Sequence, residues 1–105
     1  MKTEDFAKWM MSNKISSFRT YLGKLERVEQ YEGNLDEHYT KDHCAALLAK
    51  LTYSKVDSEN KQMPKHNIPI EPIRNNIYRS YYDGTRDYKS RVHKYISFRE
   101  MLDKT

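Results

Sequence analysis

The chain has little of what small secreted and membrane-bound proteins depend on. Among its 105 residues there is one cysteine, Cys44, so no disulfide can form within the chain. A lone thiol fits a reducing compartment. No apolar run approaches the roughly 18 residues that a membrane-crossing helix needs. Residues 1–15 hold Glu4 and Asp5 where a signal peptide would have an unbroken apolar stretch. The expectation is a cytoplasmic protein with no membrane partner. Glycines and prolines number three each, and strict alternation of apolar and polar residues is rare. Both features disfavour a turn-rich sheet protein and point to helices.

Signatures of catalysis and metal binding are also missing. The chain has no phosphate-cradling glycine loop, no GxSxG and no HExxH. His38 and His43 are five apart, which does not put them on one helical face, and Cys44 has no second cysteine to join it. Zinc needs three or four converging ligands, and His66 lies far along the chain. Surface histidines and a buried cysteine are therefore expected, with no metal and no other cofactor. Adjacent His43 and Cys44 would point apart on a helix, which argues against a nucleophile–base pair. Glu26, Glu29 and Glu32 fall at i, i+3 and i+6 and are expected on an exposed helix face. No catalytic residue is assigned, and no enzyme is expected.

What the chain does have is localised positive charge. Residues 1–73 carry 11 Lys/Arg and 11 Asp/Glu, whereas residues 74–105 carry 8 and 4, so the whole net charge of +4 lies in the last third. There the cations interleave with tyrosines: Arg74, Tyr78, Arg79, Tyr81, Tyr82, Arg86, Tyr88, Lys89, Arg91, Lys94 and Tyr95. A segregated basic face attracts a polyanion, most simply a nucleic-acid backbone. Apolar residues make up only 37%, so the core must be small. Nine Tyr, three Phe and one Trp supply much of it. Tyr21, Tyr81, Tyr88 and Tyr95 are expected in that core, and Tyr78 and Tyr82 nearer the surface.

Periodicity places the elements. Residues 3–12 read as a short helix capped by Thr3, with Phe6, Trp9 and Met10 on one face. Residues 17–32 make the clearest helix, started by Ser16 or Ser17, with Phe18, Tyr21, Leu22, Leu25 and Val28 in one stripe and Gly33 as its stop. Residues 36–52 form the next helical region, broken near Thr40, and Cys44, Leu47, Leu48 and Leu51 share its buried face. Residues 54–71 read as a long polar connection in which Pro64 and Pro69 forbid a continuous helix. That connection is either mobile or pinned at its end by Ile68 and Ile70. Pro72 suits the start of a helix over 72–82 with Ile73, Ile77 and Tyr81 as its stripe. Asp83-Gly84 reads as a turn, and Thr85 as the cap of a last helix over 86–102. The expected fold is all-α: one compact bundle of four to five short helices, spanning residues 1–105, with a long polar loop near 54–71.

The function expected from this pattern is non-catalytic DNA binding through phosphate contacts. Arg79, Arg86, Lys89, Arg91 and Lys94 are the expected contacts, with Lys24 and Arg27 as partners across a groove. The partner would be DNA, double-stranded. The alternative is a small helical protein–protein module, such as a phage-type inhibitor or adaptor, in which the same Tyr/Arg surface meets a protein.

Three segments carry a resemblance. Ser16-Ser17-Phe18-Arg19-Thr20-Tyr21-Leu22-Gly23-Lys24-Leu25 follows an S/T-x-x-x-Y-L-x-x-L pattern. Asn34-Leu35-Asp36 is similar to a turn that leads into a next helix, and Asp87 to Phe98 ends in an aromatic-x-x-Phe unit. Together they resemble the N-terminal core-binding (SAM-like) domain of tyrosine recombinases, the phage integrases. The resemblance touches about half of the chain. It implies a helical clamp on duplex DNA, akin to modules appended to nucleases in restriction and mobile-element proteins. Two departures stand out: the 54–71 connection is longer than such domains carry, and the recombinase catalytic domain is absent. The resemblance thus implies either the N-terminal module of a larger protein, with a C-terminal catalytic domain after Phe98–Thr105, or a stand-alone binder.

Overall fold

The structure, a computed structural model, describes residues 1–72 and 76–104. Six helices make up its regular structure: α1 (Thr3–Ser12), α2 (Phe18–Glu32), α3 (Leu35–Asp42), α4 (Ala45–Lys50), α5 (Lys55–Glu59) and α6 (Ile77–Asp103). No strand occurs among the described residues, so the protein is all-α. At 1.5 Å per residue, the 27 residues of α6 extend about 40 Å. That nearly matches the 44 Å long dimension of the molecule. Helix α6 is thus the spine, and α1, α2 and α5 all pack against it.

The core follows from the apolar stripes. Phe6 and Met10 of α1, Leu25 and Val28 of α2, and Leu35 and Tyr39 of α3 converge on Tyr88, Val92, Tyr95 and Phe98 of α6. Leu47 and Leu51 close it from the α4 side. Aromatic packing is dense at the α1–α6 crossing. The Phe6 ring meets Tyr95 and Phe98 edge-on at 5.2 and 5.3 Å, an arrangement that adds to simple area burial. Tyr88 and Tyr95 lie in the core as the spacing predicts, whereas Tyr21 and Tyr81 are only half-buried. Tyr78 and Tyr82 are half-buried as well, rather than exposed. No helix among the described residues is long and apolar enough to cross a membrane.

Several sequence expectations are corrected. The two C-terminal helices are one, because Asp83-Gly84 continues the helix instead of turning. Helix α6 begins at Ile77, with the Asn76 side chain accepting from the Tyr78 and Arg79 N–H groups, so Pro72 lies outside it. The predicted stripe residue Ile73 and the basic Arg74 lie outside the described residues. The break in the 36–52 region falls at His43-Cys44, not at Thr40. Both residues are left-handed, at φ 53° and 65°, a conformation costing roughly 1–2 kcal/mol for each residue with a Cβ. Glu32 is no surface residue: its side chain is 2% exposed. It accepts from the Asn67 backbone N–H at 3.4 Å and the Asn67 amide at 3.2 Å. Glu29 accepts from Leu35 N–H at 2.9 Å and from the Met1 amino group at 3.0 Å.

The 54–71 connection resolves in favour of pinning. Ser54 and Asp57 form a reciprocal capping box that starts the short α5, which the composition does not suggest. Beyond it the Tyr53 hydroxyl donates to Gln62 O at 2.9 Å. Residues 66–70 then run as an extended strap wedged between α2 and α6. Buried His66 and Ile68 anchor it, and Arg27 Nη2 donates to Pro69 O at 3.3 Å. Thr85 does not cap a helix. It is fully buried, and its hydroxyl meets His66 of the strap at 2.8 Å.

Candidate nucleic-acid interface

A helix turns 100° per residue, so positions seven apart nearly coincide on its surface. Arg79, Arg86 and His93 are such a series, and all three are exposed. They form an outward row along α6. Tyr82 flanks the row, and the Arg86 guanidinium lies 6.0 Å from its ring centre, with Nη1 3.4 Å from the hydroxyl. Arg79 Nε pairs with Asp83 at 3.2 Å. That pair is exposed on both sides, so it holds Arg79 only weakly. Lys89 sits on the neighbouring flank, where its ammonium donates to Thr52 Oγ1 at 2.8 Å. Beside it Tyr53, Tyr81 and Tyr78 pack edge-on in a chain, at 6.3 and 5.9 Å.

The remaining expected contacts are elsewhere. Arg91 faces α2: its guanidinium lies 4.3 Å over the Tyr21 ring, and its Nε pairs with Asp87 at 3.3 Å. Its side chain is 18% exposed, which makes it a packing residue. Lys94, three positions further, shares that flank. Lys24 reaches the same Asp87 at 3.7 Å and stands 5.1 Å over the Tyr88 ring. Arg27 stacks on Tyr31 and holds the strap. Lys24 and Arg27 line a cleft between α2, the strap and α6. The seven cations therefore divide into an outward group (Arg79, Arg86, Lys89) and an α2-facing group (Lys24, Arg27, Arg91, Lys94). They do not make a single face.

Ion pairing is divided between the groups: Arg79 is paired in the outward group, and Lys24 and Arg91 in the α2-facing group. Among the described residues no carboxylate comes within 4.0 Å of Arg86, Lys89 or Lys94. The seven-residue series Arg79, Arg86, His93 was present in the sequence, but the Asp-Gly pair masks it by implying two helices.

The other candidate groups have structural partners. His38 Nε2 lies 2.6 Å from Glu32 O, and the His43 ring stacks on Tyr39 at 4.4 Å. Cys44 is buried with Sγ 3.9 Å from Leu35 O. Burial and the nearby Asp42 and Asp36 push its thiol up to about 11, far from a reactive thiolate. Among the described residues no group of His, Cys, Asp and Glu is placed to hold a metal ion. Comparison with family models, with curated proteins and with solved structures finds no match to this chain.

Proposed function

We propose that the protein is a non-catalytic DNA-binding module that lays the outward row of α6 along a nucleic-acid backbone. The observation that carries this reading is the continuity of α6. One helix, nearly as long as the molecule, carries exposed Arg79 and Arg86 with half-buried Lys89 and Tyr82 beside them. Arginine forks and lysine point charges neutralise phosphates and release counterions, and a tyrosine hydroxyl adds a hydrogen bond. Backbone contact of this kind does not require base readout.

A second reading is favoured by the aromatic chain Tyr53–Tyr81–Tyr78 beside Lys89, since tyrosine and arginine are enriched at protein interfaces. Salt separates the two. The test is fluorescence anisotropy of labelled duplex and single-stranded DNA at about 50 and 200 mM salt, the range over which phosphate binding weakens steeply. Its control is Arg79→Ala/Arg86→Ala/Lys89→Ala, which spares the packing residue Arg91. Binding that weakens with salt and vanishes in the triple variant supports the DNA module. No binding at the lower salt overturns it and favours a protein partner.

A further inference from the structure

Two of the three glycines are explained by the chain itself. Gly33 ends α2 at φ 95°, a left-handed conformation in which glycine carries no steric penalty. Gly84 lies beneath Ile70 of the strap, and a Cβ there would stand 2.9 Å from Ile70 Cδ1. Gly23 has no such reason. It sits inside α2, where glycine weakens a helix, and a Cβ built on it would meet nothing within 4 Å. The open space above Gly23 is the cleft between α2, the strap and α6, with a volume of about 470 Å³. That size lies within the range of small-molecule sites.

The lining has a consistent chemistry. Lys24 and Arg27 bring two cations to one side, and the Thr20 hydroxyl lies one turn before Lys24. Tyr88 of α6 forms part of the floor. Burial raises its pKa, while the Arg27 guanidinium facing its hydroxyl works in the opposite direction. Pro69 and Ile70 of the strap supply an apolar wall, and Glu71 an acceptor at its end. A guanidinium fork, an ammonium and two hydroxyls suit the several acceptor oxygens of a phosphate. The apolar wall and the carboxylate suit a body with hydroxyl or amine donors. Glycine at 23 lets that ligand approach the helix backbone closely.

We propose that this cleft is a binding site for a small organic phosphomonoester, held by Lys24, Arg27, Thr20 and Tyr88 over Gly23. The proposal is independent of the duplex reading, since the outward row lies on another face of α6.

The test is a titration of the ¹⁵N-labelled full chain, followed by amide shifts, with AMP and with ribose 5-phosphate as probes. Adenosine and inorganic phosphate are the partial ligands. The expected result is saturable shifts at Thr20, Gly23, Ile70 and Gly84 with both phosphomonoesters, weaker ones with inorganic phosphate and none with adenosine. Arg27→Ala is expected to weaken AMP by at least about tenfold. Because Arg27 also holds the strap, Gly23→Leu is the second variant: it fills open space and favours the helix, so it keeps the fold while blocking the cleft. Silence of both phosphomonoesters at millimolar concentration overturns the proposal, as do shifts confined to other surfaces or AMP binding that survives Gly23→Leu. Loss of duplex binding in folded Gly23→Leu also overturns it, because the cleft would then belong to the nucleic-acid interface.

Discussion

His66 Nε2 lies 2.8 Å from the hydroxyl of buried Thr85, in the N-terminal third of α6, while His66 Nδ1 accepts the backbone N–H of Ile68 at 3.1 Å. With Nδ1 committed as an acceptor, the neutral ring must carry its proton on Nε2 and donate it to Thr85. The imidazolium has no room in this arrangement, because a protonated Nδ1 would face the Ile68 donor. Burial lowers the His66 pKa below its ordinary 6.5, and Glu32 of α2 opposes that shift only in part. The unfolded chain therefore binds the proton more readily. Stability from His66 is present above pH 6.5 and is lost as pH falls below it. The urea midpoint should drop between pH 7.5 and 5, and His66→Gln, which does not titrate, should flatten that part of the profile. His66→Ala should cost about 1–3 kcal/mol at pH 7.5, the range for a buried hydroxyl left without its partner.

The glycines in α2 and α6 should respond in opposite directions. Gly23→Ala gains helix propensity with no clash, so unfolding should become harder by roughly 0.5–1 kcal/mol. Gly84→Ala gains the same propensity but drives its methyl to 2.9 Å from Ile70 Cδ1 and 3.1 Å from Cγ2. Cγ2 moves only by rotation about Cα–Cβ, which would also displace the rest of the side chain, so overpacking of about 1–3 kcal/mol should outweigh the gain. In an Ile70→Ala background the sign at position 84 should reverse. Denaturant titrations of the four proteins in that cycle give the coupling directly.

These contacts also explain what was legible in the sequence. The stripes of α1 and α2 were readable, since Phe6, Met10, Leu25 and Val28 follow the helical repeat and all are buried. The Asn34 turn and the Gly33 stop are local signals and stood where expected. Asp83-Gly84 misled because a local turn signal was overridden by a distant residue: Ile70 fills the space that the missing Cβ leaves. Likewise nothing local marks His43-Cys44, where two side-chain-bearing residues adopt the conformation usually left to glycine. The candidate interface was legible in its residue types but not in its grouping. The residue type of Arg91 suits a phosphate contact, but Tyr21 and Asp87 occupy its guanidinium.

Asp36 gathers three donors, and the cost of removing it should show this. The Tyr95 hydroxyl donates to Asp36 Oδ1 at 2.6 Å, Arg99 donates to the same oxygen, and the Met1 amino group lies 3.3 Å from Oδ2. Burial raises the Asp36 pKa, but the hydrogen bonds from Tyr95 and Arg99 outweigh this and leave it below the ordinary 3.8. A lowered carboxylate stabilises the fold above its ordinary value and loses that contribution as pH falls through the folded value. Asp36→Ala should therefore cost about 2–3 kcal/mol at neutral pH and blunt the loss of stability below pH 4. Tyr95→Phe removes one of the three donors and also the acceptor of the Lys2 N–H, 2.8 Å away, and should cost about 1.5–3 kcal/mol with most of the acid profile intact. Urea unfolding at pH 7 and pH 3 checks both.

Arg91 and Arg86 sit five residues apart on one helix and should separate stability from binding. Arg91 is largely covered, stacked on Tyr21 and paired with Asp87. Its alanine variant should lose roughly 1 kcal/mol, from the cation–π contact and a partly screened ion pair, while duplex affinity changes little. Arg86 is exposed, and its contacts are to Tyr82 of its own helix. Arg86→Ala should leave the unfolding midpoint within about 0.5 kcal/mol of the parent. It should also lower the salt slope of duplex binding by about one if the side chain meets a phosphate. The pair is informative because the alternatives differ in kind. A protein-docking surface would lose affinity at Arg86 with no change in salt slope. A nucleic-acid surface built on the α2 flank would instead lose it at Arg91, and the outward row would no longer account for the charge that sets this helix apart.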